Sequence, residues 1–470
     1  GTSYSSFPDN VYSWAVRVEN QKDNEATAGP YSSIYYFRVD TVAPPAPSLT
    51  SPLNGENTND STPTLQWGSV TDPAPGSGVL YYELWLDNKQ DFSTARLENI
   101  SGTSKTLPAL VDNLYYWKVR VWDNAKNVGG FSTVWSFRVD TVAPPAPSLI
   151  SPADGIKTNN KTPTLSWENT CVENSLPVIY YVEISDDSTF SHVNYSSGPL
   201  MDKIWVTSLL PDGRWYWRVY ENDNAGNQSP WSTVRSFYVD TTAPAAPINL
   251  SVSPSGWTNI NSFTVSWTNP SDLSGIAGAY YKFNSSPASP TDGNLVSGSG
   301  LNSITVQAPA EGANTIYVWL KDVVGNVNHA NRNSVTLYLK TTSPSITLSP
   351  ATGAVETATG WSATSTTSTY VITGTVPVGS TVKINGNPVS VSGDTFSLQV
   401  TLAAGVNTFT IQVTDQTGNT TTRTLAVTYT PPAEMPTGIS PALTENIVIT
   451  VAIIFLGVAA LVVIRSFLKK

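Results

Sequence analysis

The side chains best suited to chemistry in this sequence are aspartates that each stand four residues before an asparagine. The pairs are Asp123 and Asn127, Asp223 and Asn227, Asp322 and Asn326, and Asp415 and Asn419. One interpretation is a tight turn between the last two strands of a domain, because Asn and Gly accept left-handed backbone angles. The other is calcium binding, because Ca²⁺ favours a shell of carboxylate and carbonyl oxygens. The sequence leaves both interpretations open.

A second set of aspartates recurs at the junctions between repeats and could add ligands to such sites. These are Asp40, Asp140 and Asp240. The corresponding residue at the last junction is Lys340, which argues against a calcium site there. The dense D-x-D-x-D-G calcium loop is also missing from the sequence. Ca²⁺ is nonetheless the one cofactor that the sequence suggests.

Catalytic chemistry has no candidate residues. A nucleophile needs a base within reach, and a glycosidase needs paired carboxylates in a cleft. The chain has two histidines, His192 and His329, outside any motif, and one cysteine, Cys171. We therefore predict a protein without enzymatic activity. The single cysteine also excludes an intrachain disulfide, which favours a prokaryotic surface protein over a eukaryotic secreted one.

Several asparagines lie in Asn-x-Ser/Thr sequences and are candidate sites of N-glycosylation. They are Asn59, Asn99, Asn160, Asn194, Asn227, Asn249, Asn284 and Asn419. A sequence this rich in Asn, Ser and Thr produces such triplets by chance. They permit a glycoprotein, which matters if the source is an archaeon, without requiring one.

The 15 tryptophans raise the alternative of a carbohydrate-binding protein, because aromatic faces stack on sugar rings. Many of them stand at strand positions that predict an inward side chain: Trp14, Trp67, Trp117, Trp167, Trp217 and Trp267. A freer group does not recur on one face of every repeat: Trp85, Trp122, Trp135, Trp205 and Trp231. The tryptophans therefore favour packed cores over a sugar-binding surface.

The composition of the chain limits its fold and its partners. Charged residues make up 13% of 470 residues, about half the share in a typical soluble domain. Aromatic residues combined with much Pro, Gly and Asn are typical of short strands joined by turns. Because 35 acidic residues stand against 25 basic ones without any basic stripe, we do not expect nucleic acid as a partner.

Internal repeats dominate the sequence. The segment FRVDTVAPPAPSL occurs at 37–49 and again at 137–149, and FYVDTTAPAAPINL follows at 237–250. Within each unit the apolar residues alternate, which predicts strands with one buried face. The predicted inward rows include Leu65 and Trp67; Trp117, Val119 and Val121; Leu80, Tyr82, Leu84 and Leu86; and Trp14, Val16 and Val18. About seven such strands per unit indicate a Greek-key sandwich.

The repeats divide the chain into a series of domains. We assign 1–43 to a partial repeat, 44–143, 144–243 and 244–343 to three similar sandwiches, 344–430 to a different Ig-like domain, 431–445 to a linker, 446–467 to a transmembrane helix and 468–470 to a basic cytoplasmic tail. Because two or three strands cannot bury their own apolar face, we expect the partial repeat to be completed. Either the protein extends further toward its N-terminus, or a neighbouring subunit supplies strands. Proline-rich junctions predict short, semi-rigid linkers and a rod.

A membrane anchor is predicted near the C-terminus. The segment from Ile447 to Ile464 is apolar apart from one threonine and, as a helix of 18 residues, would rise roughly 27 Å, enough to cross a bilayer. It is followed by Arg465, Lys469 and Lys470. The positive-inside rule then places the C-terminus in the cytoplasm and the repeats outside the cell. Residues 435–438 resemble a sortase signal in part, so covalent wall attachment is the alternative.

Residues 44–343 resemble the fibronectin type III and bacterial Ig-like repeats of prokaryotic surface proteins. Trp67, Trp167 and Trp267 carry the resemblance, with the aromatic strand that ends in D-x-x-x-N and the V-D-T-x-A-P junction. Residues 371–422 resemble a different bacterial Ig-like type. The resemblance implies an all-β fold of tandem immunoglobulin-like, fibronectin type III-like β-sandwiches with one C-terminal transmembrane α-helix. In some bacterial Ig-like adhesins, loop carboxylates near domain boundaries bind Ca²⁺ and stiffen the rod.

These observations predict a structural or adhesive stalk on the surface of a prokaryotic cell, anchored by a single membrane span. One alternative is a subunit of an S-layer or surface filament, in which like subunits pack together. Another is the stalk of a surface enzyme or carbohydrate-binding protein whose head lies upstream. Expected partners are the membrane and either like subunits or another surface protein or glycan.

Overall fold

The computed structural model describes residues 6–22, 25–169 and 177–433. Cys171 and the predicted membrane segment 447–464 lie outside these residues, as do Arg465, Lys469 and Lys470. Within the described part, no helix is long and apolar enough to cross a membrane. The described residues form an all-β chain with short 3₁₀ helices at His329–Asn331 and Pro350–Thr352.

The chain divides into two compact units. The first comprises 1–245 with the loops 271–277 and 321–327, and the second comprises 246–270, 278–320 and 328–470. The N-terminal part of the first unit has four strands: β1 (Asn10–Trp14), β2 (Glu19–Lys22), β3 (Glu25–Ala28) and β4 (Tyr35–Val39). β1 pairs with β4, and β2 pairs with β3, both antiparallel.

The predicted inward row of this first repeat is wrong. Trp14 and Val16 are exposed, and Val18 is 79% exposed. Trp14 stacks instead on Tyr35 across the β1–β4 pair, with 5.2 Å between the ring centroids. The physical reason is that no second sheet covers this face within the described residues, so the alternating pattern has nothing to pack against.

The second repeat is a complete sandwich. Its strands are β5 (Leu49–Ser51), β6 (Glu56–Thr58), β7 (Thr64–Trp67), β8 (Val79–Asp87), β9 (Arg96–Ile100), β10 (Ser104–Thr106), β11 (Asn113–Asp123) and β12 (Trp135–Val139). One sheet has the order β10-β7-β5 and the other the order β6-β12-β11-β8-β9. All neighbours are antiparallel except β6 and β12. Leu65, Trp67 and Trp117 are buried between the sheets, which confirms their predicted orientation.

Leu80 departs from its predicted row and is 43% exposed, whereas Tyr82, Leu84 and Leu86 are buried. The register between β8 and β11 shifts where Trp122 pairs with Tyr81 and Asp123 pairs with Val79. Such a bulge adds one unpaired residue and breaks the two-residue period. The inward prediction therefore fails at Leu80 alone in this row.

The third repeat copies the second. Its strands are β13 (Ser148–Ser151), β14 (Ile156–Thr158), β15 (Thr164–Glu168), β16 (Ile179–Ser185), β17 (Tyr195–Ser196), β18 (Ile204–Val206), β19 (Gly213–Asn222) and β20 (Arg235–Val239). The sheet orders are β13-β15-β18 and β14-β20-β19-β16-β17. Leu165, Trp167 and Trp217 fill the core. The same alternation in both sequences thus produces the same sandwich.

The fourth repeat has seven strands. They are β21 (Ile248–Ser253), β22 (Phe263–Thr268), β23 (Ile276–Phe283), β24 (Asn294–Ser297), β25 (Ser303–Val306), β26 (Gly312–Asp322) and β27 (Asn333–Leu339). Its sheets have the orders β21-β22-β25 and β24-β23-β26-β27. Phe263, Trp267 and Trp319 are buried.

The fifth repeat is a sandwich of a different kind. Its strands are β28 (Thr347–Leu348), β29 (Val355–Glu356), β30 (Gly360–Ser365), β31 (Thr369–Thr375), β32 (Thr381–Ile384), β33 (Asn387–Val389), β34 (Val391–Ser392), β35 (Thr395–Thr401), β36 (Gly405–Thr414) and β37 (Thr420–Tyr429). The sheet orders are β28-β31-β35-β34 and β29-β30-β37-β36-β32-β33, with β30 parallel to β37. Ile372, Phe396 and Ile411 lie in its core.

Candidate functional site at the repeat junctions

Each Asp-x-x-x-Asn motif forms a tight turn. At the end of β11, the backbone N–H of Asn127 donates to Asp123 Oδ1 at 2.7 Å, and the backbone N–H of Asp123 donates to the carbonyl of Asn127 at 3.1 Å. The Asn127 side-chain amide also donates to Asp123 Oδ2 at 2.7 Å. Asp223, Asp322 and Asp415 accept the same backbone hydrogen bond from their own asparagines. The motif is therefore a turn held by its aspartate.

The motif asparagine also reaches the preceding repeat. Its side-chain amide donates to the main-chain carbonyl of the residue that directly follows the last strand of that repeat. The pairs are Asn127 to Asp40 at 3.0 Å, Asn227 to Asp140 at 2.8 Å, Asn326 to Asp240 at 2.9 Å and Asn419 to Lys340 at 2.8 Å. The acceptor is a backbone carbonyl, so the bond is kept where lysine replaces aspartate. We call these four bonds the junction bonds.

The sequence analysis missed this role of the asparagines. A signal for it was present, because the acceptor and the asparagine are separated by 87 residues at the first two junctions and by 86 at the third. A constant separation between two motifs on different repeats is what a direct contact between them would require.

Two groups of three aspartates come together at junctions of the first unit. In the first group, Asp40, Asp72 and Asp123 each offer a carboxylate oxygen, and these atoms lie within 4.8 Å of one another. Asp240, Asp272 and Asp322 form the second group with the same limit. We call them the first and the second triad. Asp72 and Asp272 were not predicted, although each stands five residues after the repeated tryptophan of its domain.

Backbone hydrogen bonds position the first triad. Ser77 N–H donates to Asp40 Oδ2 at 2.6 Å, and Gly78 N–H donates to Asp72 Oδ2 at 2.7 Å. Hydrogen bonds, above all from Ser77, hold the pKa of Asp40 below its usual value although burial opposes them. Asp72 Oδ1 is buried and has no hydrogen-bond partner among the described residues.

A similar loop positions the second triad. Ser274 N–H lies 2.9 Å from Asp240 Oδ2 and 3.2 Å from Asp272 Oδ1, and Gly275 N–H donates to Asp272 Oδ1 at 2.8 Å. Burial raises the pKa of Asp272, and the negative charges of Asp240 and Asp322 raise it further. The second triad therefore carries unfavourable charge repulsion.

The remaining calcium candidates are arranged differently. Asp140 and Asp223 belong to no such triad within the described residues, and the residue five positions after Trp167 is a valine. At the last junction, Lys340 Nζ lies 3.1 Å from Asp415 Oδ2. Burial alone would raise the pKa of Asp415, but hydrogen bonds from Thr417, Lys340 and Asn419 hold it well below its usual range.

The candidate glycosylation sites fall into two groups. Six of them are exposed: Asn59, Asn99, Asn160, Asn194, Asn249 and Asn284. The other two, Asn227 and Asn419, use their side-chain amides in the junction bonds. Glycosylation stays a prediction for the exposed group.

Three of the freer tryptophans, Trp85, Trp122 and Trp231, lie against cationic side chains, whereas Trp135 packs on the ring of Trp117 and Trp205 packs against the core of the third repeat. In the third repeat, the Arg218 guanidinium lies 3.9 Å from the ring centroid of Trp231 and 4.2 Å from that of Phe190. The same guanidinium pairs with Glu183 at 2.7 Å. In the second repeat, Arg120 pairs with Glu83 and lies 5.5 Å from the Trp122 ring. These contacts give the outer aromatic rings a structural role.

Neither a protein-family model nor a curated protein matches the chain. Among solved structures, it is similar to the FN1–FN3 domains of chicken CNTN1, with 16% identity over 63% of this chain and 99% of that one, and a TM-score of 0.25. It is also similar to fibronectin(III)-like modules of CbhA from Clostridium thermocellum, with 14% identity over 41% and 93% of the two chains and a TM-score of 0.27. The fold assignment rests on the strand orders and registers given above.

Proposed function

We propose that this chain is a non-enzymatic stalk on the surface of a prokaryotic cell, which projects a distal region away from a single membrane anchor. The observation that carries the proposal is the junction bond, because the same asparagine-to-carbonyl contact recurs at four successive junctions. Domains that only had to stay connected would not require a hydrogen bond at each junction.

The junction bond acts together with the linker chemistry. Proline fixes φ near −65°, so the Pro44–Pro47 segment has few conformations to lose when the junction forms. The asparagine then ties Asp40, four residues before that segment, to a turn of the next sandwich that Asp123 already holds. Both effects oppose bending at the junction, and resistance to bending is what a stalk requires.

The anchor in this proposal is the predicted segment from Ile447 to Ile464, with the repeats outside the cell. A protease added to intact cells should then digest the repeats, and a C-terminal epitope should stay with the membrane fraction. Digestion only after lysis would contradict the surface location. Release of the epitope into the cell-wall fraction would indicate covalent attachment in place of the membrane anchor.

A second candidate function is assembly into a surface layer or filament. It is favoured by the uncovered face of the β1–β4 sheet, where Trp14, Tyr35 and Phe37 are exposed. Apolar patches of this kind often mark contacts with another protein. Ordered arrays on native cells that disappear in a Trp14→Ser, Tyr35→Ser variant would favour this function over a passive stalk.

A further inference from the structure

We propose that a cavity between the fourth and fifth repeats binds a neutral sugar residue of a surface glycan. The cavity has a volume of about 420 Å³, which lies within the range of small-molecule sites. Its wall includes Trp257, Lys340, Ser380, Asp415, Gln416 and Thr417, all of which belong to the second compact unit. The proposal goes beyond the stalk function, which requires no ligand, so either can fail without the other.

An exposed tryptophan forms one side of the cavity. Trp257 is 53% exposed, and it belongs neither to the inward tryptophans of the sequence analysis nor to the freer ones. Its ring is held by Tyr338 of β27, with 5.2 Å between the two ring centroids. An indole held in this way can stack on the apolar face of a sugar ring while its N–H is free to donate to a hydroxyl group.

Polar groups without partners lie on the opposite side. Ser380 is 6% exposed, and its hydroxyl has no hydrogen-bond partner among the described residues. Gln416 is exposed, and its side-chain amide makes no hydrogen bond within the described part of the chain. A buried hydroxyl without a partner is unfavourable. A ligand hydroxyl can both donate and accept, so a sugar can satisfy both side chains.

The charges in the wall favour a neutral ligand. Lys340 Nζ lies 3.1 Å from Asp415 Oδ2, and these are the two charged residues of the wall. Because the pair is one cation and one anion, the two charges cancel. An anionic ligand would be repelled by Asp415 and a cationic one by Lys340. A neutral molecule rich in hydroxyl groups meets neither penalty.

The preceding junction has a groove at the corresponding place, and its first residue differs. Lys157 stands there where Trp257 stands at the cavity, since each precedes a threonine whose carbonyl accepts the first backbone N–H after the last strand of the repeat. Lys157 Nζ donates to the carbonyl of Ser274 at 2.8 Å, so its side chain closes on the next repeat. The indole of Trp257 makes no such bond within the described residues and leaves its ring at the cavity.

The other wall of that groove differs in the same direction. Val323 and Val324 line it, and they directly follow the motif aspartate of the fourth repeat. Gln416 and Thr417 directly follow the motif aspartate of the fifth repeat. The last junction therefore has an aromatic ring and two hydrogen-bonding side chains where the preceding junction has an ammonium group and two aliphatic ones. These are the changes that recognition of a sugar requires.

The test is calorimetric titration of the full chain, in a detergent without a sugar headgroup, with three neutral polysaccharides and one acidic one. The neutral ones are mannan, dextran and galactan, and the acidic one is polygalacturonate. We expect at least one neutral polysaccharide to bind more tightly than polygalacturonate. Trp257→Ala and Gln416→Ala should each weaken that binding about tenfold, and Trp257→Phe, which keeps a ring, should weaken it less.

The matched control is Val323→Ala, which shortens the side chain at the place that corresponds to Gln416 in the preceding groove. This variant should bind like the unsubstituted chain. Melting midpoints of all variants show that the repeats stay folded. The proposal is overturned if none of the neutral polysaccharides binds, if polygalacturonate binds more tightly than all of them, or if folded Trp257→Ala and Gln416→Ala keep full affinity. Loss of binding in Val323→Ala would overturn the assignment to this cavity.

Discussion

The side-chain amide of Asn127 donates a hydrogen bond to the main-chain carbonyl of Asp40, 3.0 Å away and 87 residues earlier in the chain. The same amide donates to Asp123, which holds the turn in which Asn127 lies. Both amide hydrogens are therefore used, one inside the turn and one across the junction. A single side chain thus couples the folding of a turn to the position of the domain before it.

Replacing a motif asparagine should weaken a junction. In Asn227→Ala, the Asp140 carbonyl and Asp223 both lose a donor, and we expect a loss of about 1–3 kcal/mol in the stability of the third sandwich. The angle between the flanking sandwiches should also vary more, which small-angle scattering would record as a broader distance distribution. Asn99→Ala, at an exposed position, is the control. An unchanged scattering profile would contradict the role of the junction bond.

Glu221 should make the third sandwich less stable at high pH. It is 0% exposed, and within the described part of the chain neither of its carboxylate oxygens has a hydrogen-bond partner. Burial, followed by the charge of Asp223, raises its pKa from 4.5 to about 7. The folded state therefore binds the proton more tightly than the unfolded state. Stability falls as the pH rises from about 4.5 to about 7 and is constant above that, for a total of about 3 kcal/mol.

The variant Glu221→Gln should remove this pH dependence, and Glu221→Leu should add stability at every pH above 5. The reason is that Val121 and Leu320 occupy the corresponding place, two residues before the motif aspartate, in the neighbouring repeats. Chemical denaturation between pH 4 and pH 8 in the presence of EDTA measures both. Parallel pH profiles for the unsubstituted chain and Glu221→Gln would show that Glu221 ionises normally.

The strands could be predicted from the sequence because their cause is local. Alternation at Leu65 and Trp67 reports which face is buried, and the structure confirms it. The prediction of which side chains are buried failed where a second strand or sheet decides their burial. Leu80 is turned outward by a bulge against β11, and Val18 is exposed because no described sheet covers it.

The triads could be predicted only in part, because contacts between distant segments decide which aspartates come together. Asp40 and Asp123 were candidates because equivalent aspartates recur along the sequence. Asp72 lies in the loop after β7, and an aspartate does not stand at the equivalent position of every repeat. Asp72 lies close to Asp40 and Asp123 only because of the path that the chain takes from one repeat into the next, and no local sequence pattern encodes that path. The lysine at position 340, in contrast, was visible in the sequence, and in the structure it pairs with Asp415.

Lys340 should stabilise the fifth sandwich against acid. In Lys340→Met, the buried carboxylate of Asp415 loses its ion pair, and its pKa rises. Because the lysine is partly exposed, we expect a loss of about 1–2 kcal/mol at pH 7. A group with a lowered folded pKa gives stability that is lost as the pH falls, so the variant should unfold at a higher pH. Hydrogen exchange in β36 and β37 across pH 3–6 measures this, and equal exchange in both proteins would contradict it.

Arg218 should stabilise the third sandwich through its aromatic contacts as well as its charge. The guanidinium lies over Trp231 and Phe190 and pairs with Glu183. Arg218→Ala should therefore cost about 1–3 kcal/mol, more than the loss of a surface ion pair. Arg218→Lys keeps the charge but loses the planar stacking and the two-nitrogen contact with Glu183, so it should recover only part of the loss.

Thermal or urea unfolding of these variants measures the effect, with Arg96→Ala as the control. Arg96 also pairs with a glutamate, Glu98, but its side chain is more than half exposed and stacks on no aromatic ring of the described residues. Its removal should therefore change stability by no more than about 0.5 kcal/mol. If Arg218→Lys is as stable as the unsubstituted chain, charge alone accounts for the contribution of Arg218. If Arg218→Ala loses no more stability than Arg96→Ala, the outer tryptophans do not depend on a cation for their position. Those tryptophans would then again be candidates for a ligand-binding surface.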